Sequence, residues 1–493
     1  MSTIIINLKL AAVYNIVVNV LKFFVRTAFI NNLSLEYLGI NSLFSNILSL
    51  LSLAELGIGP AIVYSLYAPL ALNDISKTRA IMRLFKKAYI IIGLIILFLG
   101  LLMYPYLDLL IKEKPNIDDI NLFYLIFLVN TAISYFWSYQ RNLLIADQKQ
   151  YIVNIYQTVI QVAVAIAQII AIYITHNYWW FVMLMLSGTI LENYLIANEA
   201  YRVYPYLTEE AEELNFIDKK QILQNIKAMI FHKIGGILST SSSGIIISKL
   251  LGIVTLGIFN NYLLVIGVIN TIAGKFYETI TASIGNSIVL DSKEKSFERF
   301  NDIELLTAFQ ASTFSICIYV LLNPFIVLWI GPSFTADKYV NICITVYFYL
   351  NYMRKAVLLF KDAAGLFWHD RYKPLFEALF FLLFSIPCTI KLGLLGVFIG
   401  HILSLISTCF WIEPYVLFRF AFSQSIKKYL KNYFKYTCLT IFMLVISNNL
   451  IQFLYSEMSL VRIVLAGITI VVLNSMAWII AFRKVNILKQ LLH

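Results

Sequence analysis

The chain has 493 residues, of which 60% are apolar and only 13% are charged, and its mean hydropathy is +0.79. A soluble domain carries about a quarter of charged residues, so this composition excludes a soluble globular protein and indicates an integral membrane protein. The net charge of +11 requires no nucleic-acid partner, because basic cytoplasmic loops beside anionic headgroups account for it.

About fourteen apolar segments of roughly twenty residues follow one another along the chain, each long enough for a helix to cross the hydrocarbon core. We therefore predict an all-α integral membrane fold without an appended soluble domain. The segments lie near 10–30, 38–66, 88–111, 121–145, 152–175, 178–200, 226–249, 253–276, 304–330, 340–360, 374–391, 394–418, 434–455 and 461–482.

Lysine and arginine residues concentrate in every second connection between these segments. Positive residues resist translocation, so the pattern predicts that both termini are cytoplasmic. The connections on the opposite side are short, which leaves little room there for an extramembrane catalytic site.

A weak internal repeat appears when the sequence is shifted by 218 residues (225 − 7), which aligns Asn7 with Asn225 and Leu38 with Leu256. An even number of helices separates the copies, so the two halves would share one orientation in the membrane. We predict a pseudo-symmetric pair of six-helix bundles followed by two further helices. The predicted boundaries are 1–207 for the first bundle, 208–225 for a cytoplasmic linker helix, 226–420 for the second bundle, and 421–493 for helices 13 and 14 with a cytoplasmic tail.

The first segment has a polar and cationic face. Asn15, Asn19, Lys22 and Arg26 fall within about 60° of arc at 100° per residue. A charge at mid-bilayer costs roughly 2.5–3.5 kcal/mol, which favours a wetted cavity lined by protein. Together with Lys233 in the seventh segment, these residues are the predicted substrate-binding set. A second explanation stays open for Arg26, which can snorkel to the outer interface.

Polar stripes recur in the fourth and fifth segments. Ser134, Ser138 and Arg141 share one face of the fourth, and Gln161 and Gln168 share one face of the fifth. Such stripes line cavities or mediate helix–helix contacts in lipid, and the sequence leaves both explanations open.

Among the carboxylates that lie within predicted spans, Glu55, Glu192 and Glu377 are candidate functional residues. Each is either a structural counter-ion or a protonatable group that couples transport to a proton gradient. Glu55 lies at a depth from which it can pair with Lys22.

A cationic cavity disfavours small inorganic cations and favours a cargo that carries phosphate or diphosphate. Neutral amides and hydroxyls around it suit sugar hydroxyls, so a lipid-linked saccharide fits both features. We predict no metal and no cofactor, because the five cysteines stand singly inside apolar segments without the close pairing of a metal or redox site.

Several stretches resemble the Wzx-type polysaccharide flippases of the MATE-like MOP superfamily. They are Tyr37 to Ile40, Leu53 to Gly59, Tyr64 to Leu70, Ala146 to Tyr151, the run GLFWHDRYKP from Gly365 to Pro374, and the glycines Gly393, Gly396 and Gly400. The resemblance extends over the whole chain, and GLFWHDRYKP is its most specific part.

The resemblance implies two six-helix bundles that open alternately to each side of a bacterial plasma membrane. It implies that undecaprenyl-diphosphate-linked oligosaccharides are flipped outwards for exopolysaccharide or capsule synthesis, with membrane lipids, a polysaccharide polymerase and glycosyltransferases as candidate partners. It assigns Lys22 and Arg26 to the diphosphate. Four further residues that match the family are expected to form a cytoplasmic gate or packing contacts: Asp147, Trp368, Asp370 and Arg371.

Three rival functions stay open. A lipid II flippase and a MATE-like exporter of small molecules use the same fold, and an exporter would favour acidic cavity residues over cationic ones. A membrane polysaccharide polymerase or ligase belongs to another class, and we disfavour an enzyme because the external connections are short.

Overall fold

We describe the protein from a computed structural model. It describes residues 2–482, except 56–57, 114, 211–212, 217, 221, 223–236, 239–240, 367–368 and 456. Within these ranges the chain is almost entirely helical and contains no β-strand, which confirms the predicted all-α class.

Sixteen α-helices run in chain order through the described residues. They are α1 (Ser2–Asn32), α2 (Leu35–Leu51), α3 (Ile58–Ala71), α4 (Ile75–Met103), α5 (Ile120–Ala146), α6 (Gln150–Thr175), α7 (Tyr178–Val203), α8 (241–250), α9 (Ile253–Leu290), α10 (Lys293–Ile330), α11 (Lys338–Ala363), α12 (Lys373–Leu392), α13 (Leu394–Ser407), α14 (Cys409–Val416), α15 (Lys427–Leu454) and α16 (Leu460–Phe482).

Each predicted span except 226–249 coincides with one helix or with consecutive helices. Most of 226–249 lies outside the described residues. Ten helices in the described ranges are long and apolar enough to cross a membrane, which supports a multi-pass membrane protein. The count of fourteen spans stays a prediction.

The second predicted span, 38–66, is interrupted rather than continuous. A 3₁₀ turn, Ser52–Glu55, separates α2 from α3. The Ser52 hydroxyl donates a hydrogen bond of 2.6 Å to the carbonyl of Ser49, and such local side-chain bonds compete with the helical ladder. The interruption places the Glu55 carboxyl at the end of a turn.

The chain divides into two compact units, residues 1–257 and 258–493, with the boundary inside α9. In the first unit α1 packs on α6, and α5 packs on α3, α4 and α7. The α4–α5 contact is close, because a Cβ at Gly93 would lie 2.6 Å from the ring of Phe136. Tyr124 also donates a 3.0 Å hydrogen bond to the carbonyl of Gly100 across this contact.

In the second unit α12 and α13 form an antiparallel pair, and α10 packs on α11, α15 and α16. Gly393 turns the chain between α12 and α13 with φ +62°, a conformation that glycine adopts without strain. A Cβ at Gly396 would lie 2.2 Å from the carbonyl of Cys388, and one at Gly400 would lie 2.6 Å from Cα of Ser385. These glycines therefore allow the two backbones to touch.

Candidate functional site

A cavity of about 560 Å³ lies inside the first unit, which we call the unit 1 cavity. It is lined by the 3₁₀ turn, α3, α4 and α5. Its polar and aromatic lining residues are Glu55, Tyr64, Tyr67, Tyr89, Ser138, Arg141 and Asn142. The predicted polar stripe of the fourth span supplies Ser138 and Arg141, so this stripe lines a cavity.

The Glu55 carboxylate is held by two phenols. Tyr89 donates to Oε1 at 3.3 Å and Tyr135 donates to Oε2 at 3.4 Å. The Asn142 amide donates to the Tyr89 hydroxyl at 3.1 Å, which leaves that hydroxyl free to donate to Glu55. Glu55 therefore meets neutral donors here, and within the described residues it forms no ion pair with Lys22, contrary to the prediction.

Arg141 and Glu192 form a half-buried ion pair beside the unit 1 cavity. Nη2 of Arg141 lies 2.9 Å from Oε1 of Glu192 and donates to Oδ1 of Asn193 at 3.1 Å. The amides of Gln157 and Gln161 donate to the two Glu192 oxygens at 3.0 and 3.3 Å. In this geometry Glu192 is the counter-ion of Arg141, which is one of its two predicted roles.

The predicted substrate-binding residues of α1 take different positions. The Asn19 amide donates to the Asn15 carbonyl at 2.8 Å, within the helix. Lys22 is exposed and makes no hydrogen bond or ion pair with the described part of the chain. Arg26 is half-buried and donates to the carbonyl of Gly257 at 3.3 Å. Lys233 lies outside the described residues.

A contact chain joins α1 to the unit 1 cavity. The Gln161 amide lies 3.4 Å from the hydroxyl of Tyr14 on α1 and also donates to Glu192. Glu192 pairs with Arg141, which lines the cavity. Two hydrogen bonds and one ion pair therefore connect α1 to the cavity wall.

Glu377, the third predicted carboxylate, belongs to a buried ion cluster of the second unit. Its oxygens lie 3.2 Å from Nζ of Lys373 and 3.7 Å from Nη1 of Arg354. The fully buried Glu413 accepts from Arg354 at 2.6 and 2.9 Å and from Lys373 at 2.6 Å. We name Arg354, Lys373, Glu377 and Glu413 the unit 2 ion cluster, and its formal charges sum to zero.

Glu413 and Arg354 were not among the site residues predicted from the sequence. Glu413 lies within the predicted span 394–418, and a carboxylate inside a span was the signal that identifies it. No spacing rule indicates its partner, because Arg354 is 59 residues away in the chain.

Three of the four predicted gate residues are described, and they lie near helix ends. Asp147 accepts from the Tyr204 hydroxyl at 2.7 Å and pairs with Lys149 at 2.7 Å. Burial raises the pKa of Tyr204, and the hydrogen bond to Asp147 raises it further. Asp370 forms a buried ion pair with Lys361. The guanidinium of Arg371 lies 4.6 Å from the Tyr372 ring centroid, and Trp368 lies outside the described residues.

Comparison with known proteins identifies the fold. No family model matches the sequence, and no curated protein sequence matches it. Solved structures match over most of the chain. A structure of the lipid II flippase MurJ in an inward closed conformation has a TM-score of 0.68 and 15% identity, covering 96% of this chain and 98% of that one.

Two transporters of the MOP superfamily also match. An inward-facing multidrug resistance MATE family transporter has a TM-score of 0.65 and 13% identity, covering 82% of this chain and 94% of that one. A transporter from Pyrococcus furiosus has a TM-score of 0.55 and 13% identity, covering 84% and 94%. The fold therefore resembles that of solved MOP superfamily transporters.

Proposed function

We propose that the protein is a flippase for undecaprenyl-diphosphate-linked oligosaccharide repeat units. It moves them from the cytoplasmic to the outer leaflet of a bacterial plasma membrane, for exopolysaccharide or capsule synthesis. The observation that carries the proposal is a polar, tyrosine-lined cavity of about 560 Å³ inside a MOP transporter fold. Its size is that of a small-molecule site, and its polar lining suits a saccharide.

The lining divides by chemistry. Tyr64 and Tyr67 are both exposed, with ring centroids 6.4 Å apart, and offer flat apolar faces for sugar rings. Ser138 and Asn142 offer hydrogen bonds to sugar hydroxyls. This combination of aromatic faces and neutral polar groups is why we place the saccharide in the unit 1 cavity.

Lys22 is the residue to which we assign the diphosphate. Its ammonium group is exposed on a helix within a predicted span, and exposure to lipid at mid-bilayer would cost roughly 2.5–3.5 kcal/mol. An aqueous path that admits an anionic headgroup removes that cost. Arg26 and Lys233 are proposed to add positive potential, and Asn15 and Asn19 to line the same face of α1.

Glu55 is the proposed coupling group. It faces the unit 1 cavity and meets only neutral donors in the described part of the first unit, so its protonation breaks no ion pair there. Glu192 and Glu377 pair with cations and are proposed to act as counter-ions. Protonation of Glu55 would then accompany the return of the empty carrier.

Two other transport functions remain alternatives, because proteins with these functions have the same fold. The MurJ structure that matches this fold is named a lipid II flippase, and another match is named a multidrug resistance transporter. Restored growth of cells depleted of lipid II flipping would favour the first alternative. Export of small cations without any lipid-linked saccharide activity would favour the second. A polymerase or ligase is the alternative from another class.

Reconstitution tests the proposal. The purified full-length chain is incorporated into liposomes with undecaprenyl-diphosphate-linked oligosaccharide, and a lectin reports the saccharide that reaches the outer leaflet. We expect lectin labelling beyond that of protein-free liposomes, and background labelling would overturn the flippase proposal.

Matched variants test the assigned residues. We expect Lys22→Ala to reduce the flipping rate about tenfold or more, because it removes a charge-assisted contact. Lys391→Ala removes an exposed lysine from the last turn of α12 and should leave the rate unchanged. Equal rates for the two variants would remove Lys22 from the site while leaving the flippase proposal standing.

A further inference from the structure

A second cavity of about 360 Å³ lies in the first unit, near the start of α4. We call it the α4 cavity. Three cations of α4 line it, Arg79, Arg83 and Lys86, and they recur at helical spacing on one face. The hydroxyl groups of Tyr139 and Tyr201, 3.3 Å apart, form part of its wall. This end of α4 is predicted to face the cytoplasm.

Three like charges on one helix face repel one another, and neighbours four residues apart do so most directly. Within the cavity the described counter-charges are the carboxylates of Glu209 and Glu210, in the segment that follows α7. Glu209 pairs with Arg79. The described lining residues thus comprise three cations and two carboxylates.

The Arg79–Glu209 pair is asymmetric. The Arg79 side chain is only 21% exposed, whereas that of Glu209 is 64% exposed. Nε of Arg79 is buried and lacks a hydrogen-bond partner within the described residues. A buried donor without an acceptor costs free energy, so an anion with more oxygens than a carboxylate would satisfy this cavity better.

We propose that the α4 cavity binds a phosphate-bearing group, and that Glu209 occupies part of the site as a competing internal anion. A phosphate presents several oxygens to two guanidinium groups, one ammonium group and two phenols. The group is either the headgroup phosphate of an anionic phospholipid or the diphosphate of the lipid-linked cargo. Only the second source rests on the proposed function.

Displacement of Glu209 has a structural consequence. Glu209 follows the 3₁₀ turn Pro205–Thr208, and Tyr204 links this turn to α7. The Tyr204 hydroxyl donates to Asp147 at the end of α5. An incoming phosphate releases this segment from Arg79 while Tyr204 stays held. Occupancy of the cavity thus frees the segment that leads from α7 towards the next part of the chain.

Pyrophosphate binding to the full-length chain in a zwitterionic detergent tests the site by calorimetry at low ionic strength. We expect saturable binding that Arg79→Gln together with Arg83→Gln weakens about tenfold or more. Glu209→Gln should tighten binding severalfold, because it removes the internal anion. Lys87→Gln changes the same charge on an exposed neighbour in α4 that does not line the cavity, and should have little effect.

Two results would overturn the proposal. One is an equal loss of affinity in Lys87→Gln and in the double variant, which would mean nonspecific attraction to a basic helix. The other is weaker or unchanged binding in Glu209→Gln when that variant keeps the thermal midpoint of the parent protein, since an internal competitor must hinder the ligand.

Nanodiscs separate the two sources. Pyrophosphate affinity is compared in phosphatidylcholine discs, in discs with added phosphatidylglycerol, and in phosphatidylcholine discs with undecaprenyl diphosphate. Competition by phosphatidylglycerol assigns the site to a lipid headgroup, and competition by undecaprenyl diphosphate alone assigns it to the cargo. Competition by neither overturns the assignment to a membrane phosphate. A failure of flipping with intact pyrophosphate binding would count against the proposed function and not against this site.

Discussion

The guanidinium group of Arg141 lies 2.9 Å from the carboxylate of Glu192, and this pair joins α5 to α7 at the wall of the unit 1 cavity. Glu192 is only 12% exposed and also accepts hydrogen bonds from two glutamines of α6. One carboxylate therefore ties three helices together.

Replacement of Arg141 by alanine should destabilise the first unit, because it leaves a poorly solvated carboxylate without its cation. Removing one partner of a fully buried ion pair lowers the free energy of unfolding by about 3–5 kcal/mol. We expect a loss of roughly 1–3 kcal/mol here, because the Arg141 side chain is a quarter exposed. Thermal unfolding in detergent measures the change. The double variant Arg141→Ala, Glu192→Ala should lose less stability than the sum of the losses in the two single variants. Simple additivity of these losses would contradict the pairing.

Replacement of Glu55 by glutamine should flatten the pH dependence of flipping, because the proposed coupling group can no longer exchange a proton. The initial rate in proteoliposomes is measured across the mildly acidic to mildly basic range. Glu192→Gln serves as the control. Because Glu192 is paired with Arg141, this substitution should leave the shape of the pH profile unchanged. An unaltered profile in Glu55→Gln would exclude Glu55 as the coupling group.

Replacement of Glu413 by glutamine should be strongly destabilising. The change leaves Arg354 and Lys373 with Glu377 as their remaining carboxylate in the unit 2 ion cluster. The expected loss is about 3–5 kcal/mol, since uncompensated buried charge is costly. The midpoint of thermal unfolding reports it, and Glu457→Gln, at an exposed position, is the control. Similar midpoints for both variants would show that the cluster contributes little.

Replacement of Gly400 by alanine should destabilise the α12–α13 pair by about 1–3 kcal/mol, because its Cβ meets backbone that must shift. Gly267→Ala is the matched control: a Cβ there meets no atom within 4 Å, and alanine is the better helix former by about 1 kcal/mol. Unfolding midpoints in the same detergent compare the two. Equal midpoints would refute the close contact.

Asp291 predicts a pH dependence of stability outside the spans. A hydrogen bond from Lys295 lowers the pKa of its carboxyl, with a further contribution from the Ser287 hydroxyl. Because the pKa of this carboxyl is lower in the folded state than in the unfolded state, where it is about 3.9, ionisation of Asp291 stabilises the fold at pH values above the unfolded-state pKa. This stabilisation is lost as the pH falls through the folded-state pKa. Asp291→Asn should therefore lower the unfolding midpoint at neutral pH, and the difference should vanish in acid. A constant difference at every pH would contradict this.

The helices were predictable because membrane spans are long apolar runs, and their placement needs only local hydropathy. The interruption between Ser52 and Glu55 was not, since the sequence alone does not reveal that the Ser52 hydroxyl bonds the backbone of its own helix. Arg141 was recognised as part of a stripe, but its pairing with Glu192 depends on how α5 and α7 pack. Partners that lie 51 residues apart follow from tertiary structure and not from spacing.

The neutrality of the unit 2 ion cluster has an electrical consequence. Moving one elementary charge through a membrane potential of 100 mV involves about 2.3 kcal/mol of work. With Arg354, Lys373, Glu377 and Glu413 all ionised, a movement that carries the four together transfers no net charge and does no such work. The membrane potential would therefore neither drive nor oppose the movement of this cluster, and would act instead on charges outside it, such as the exposed Lys22.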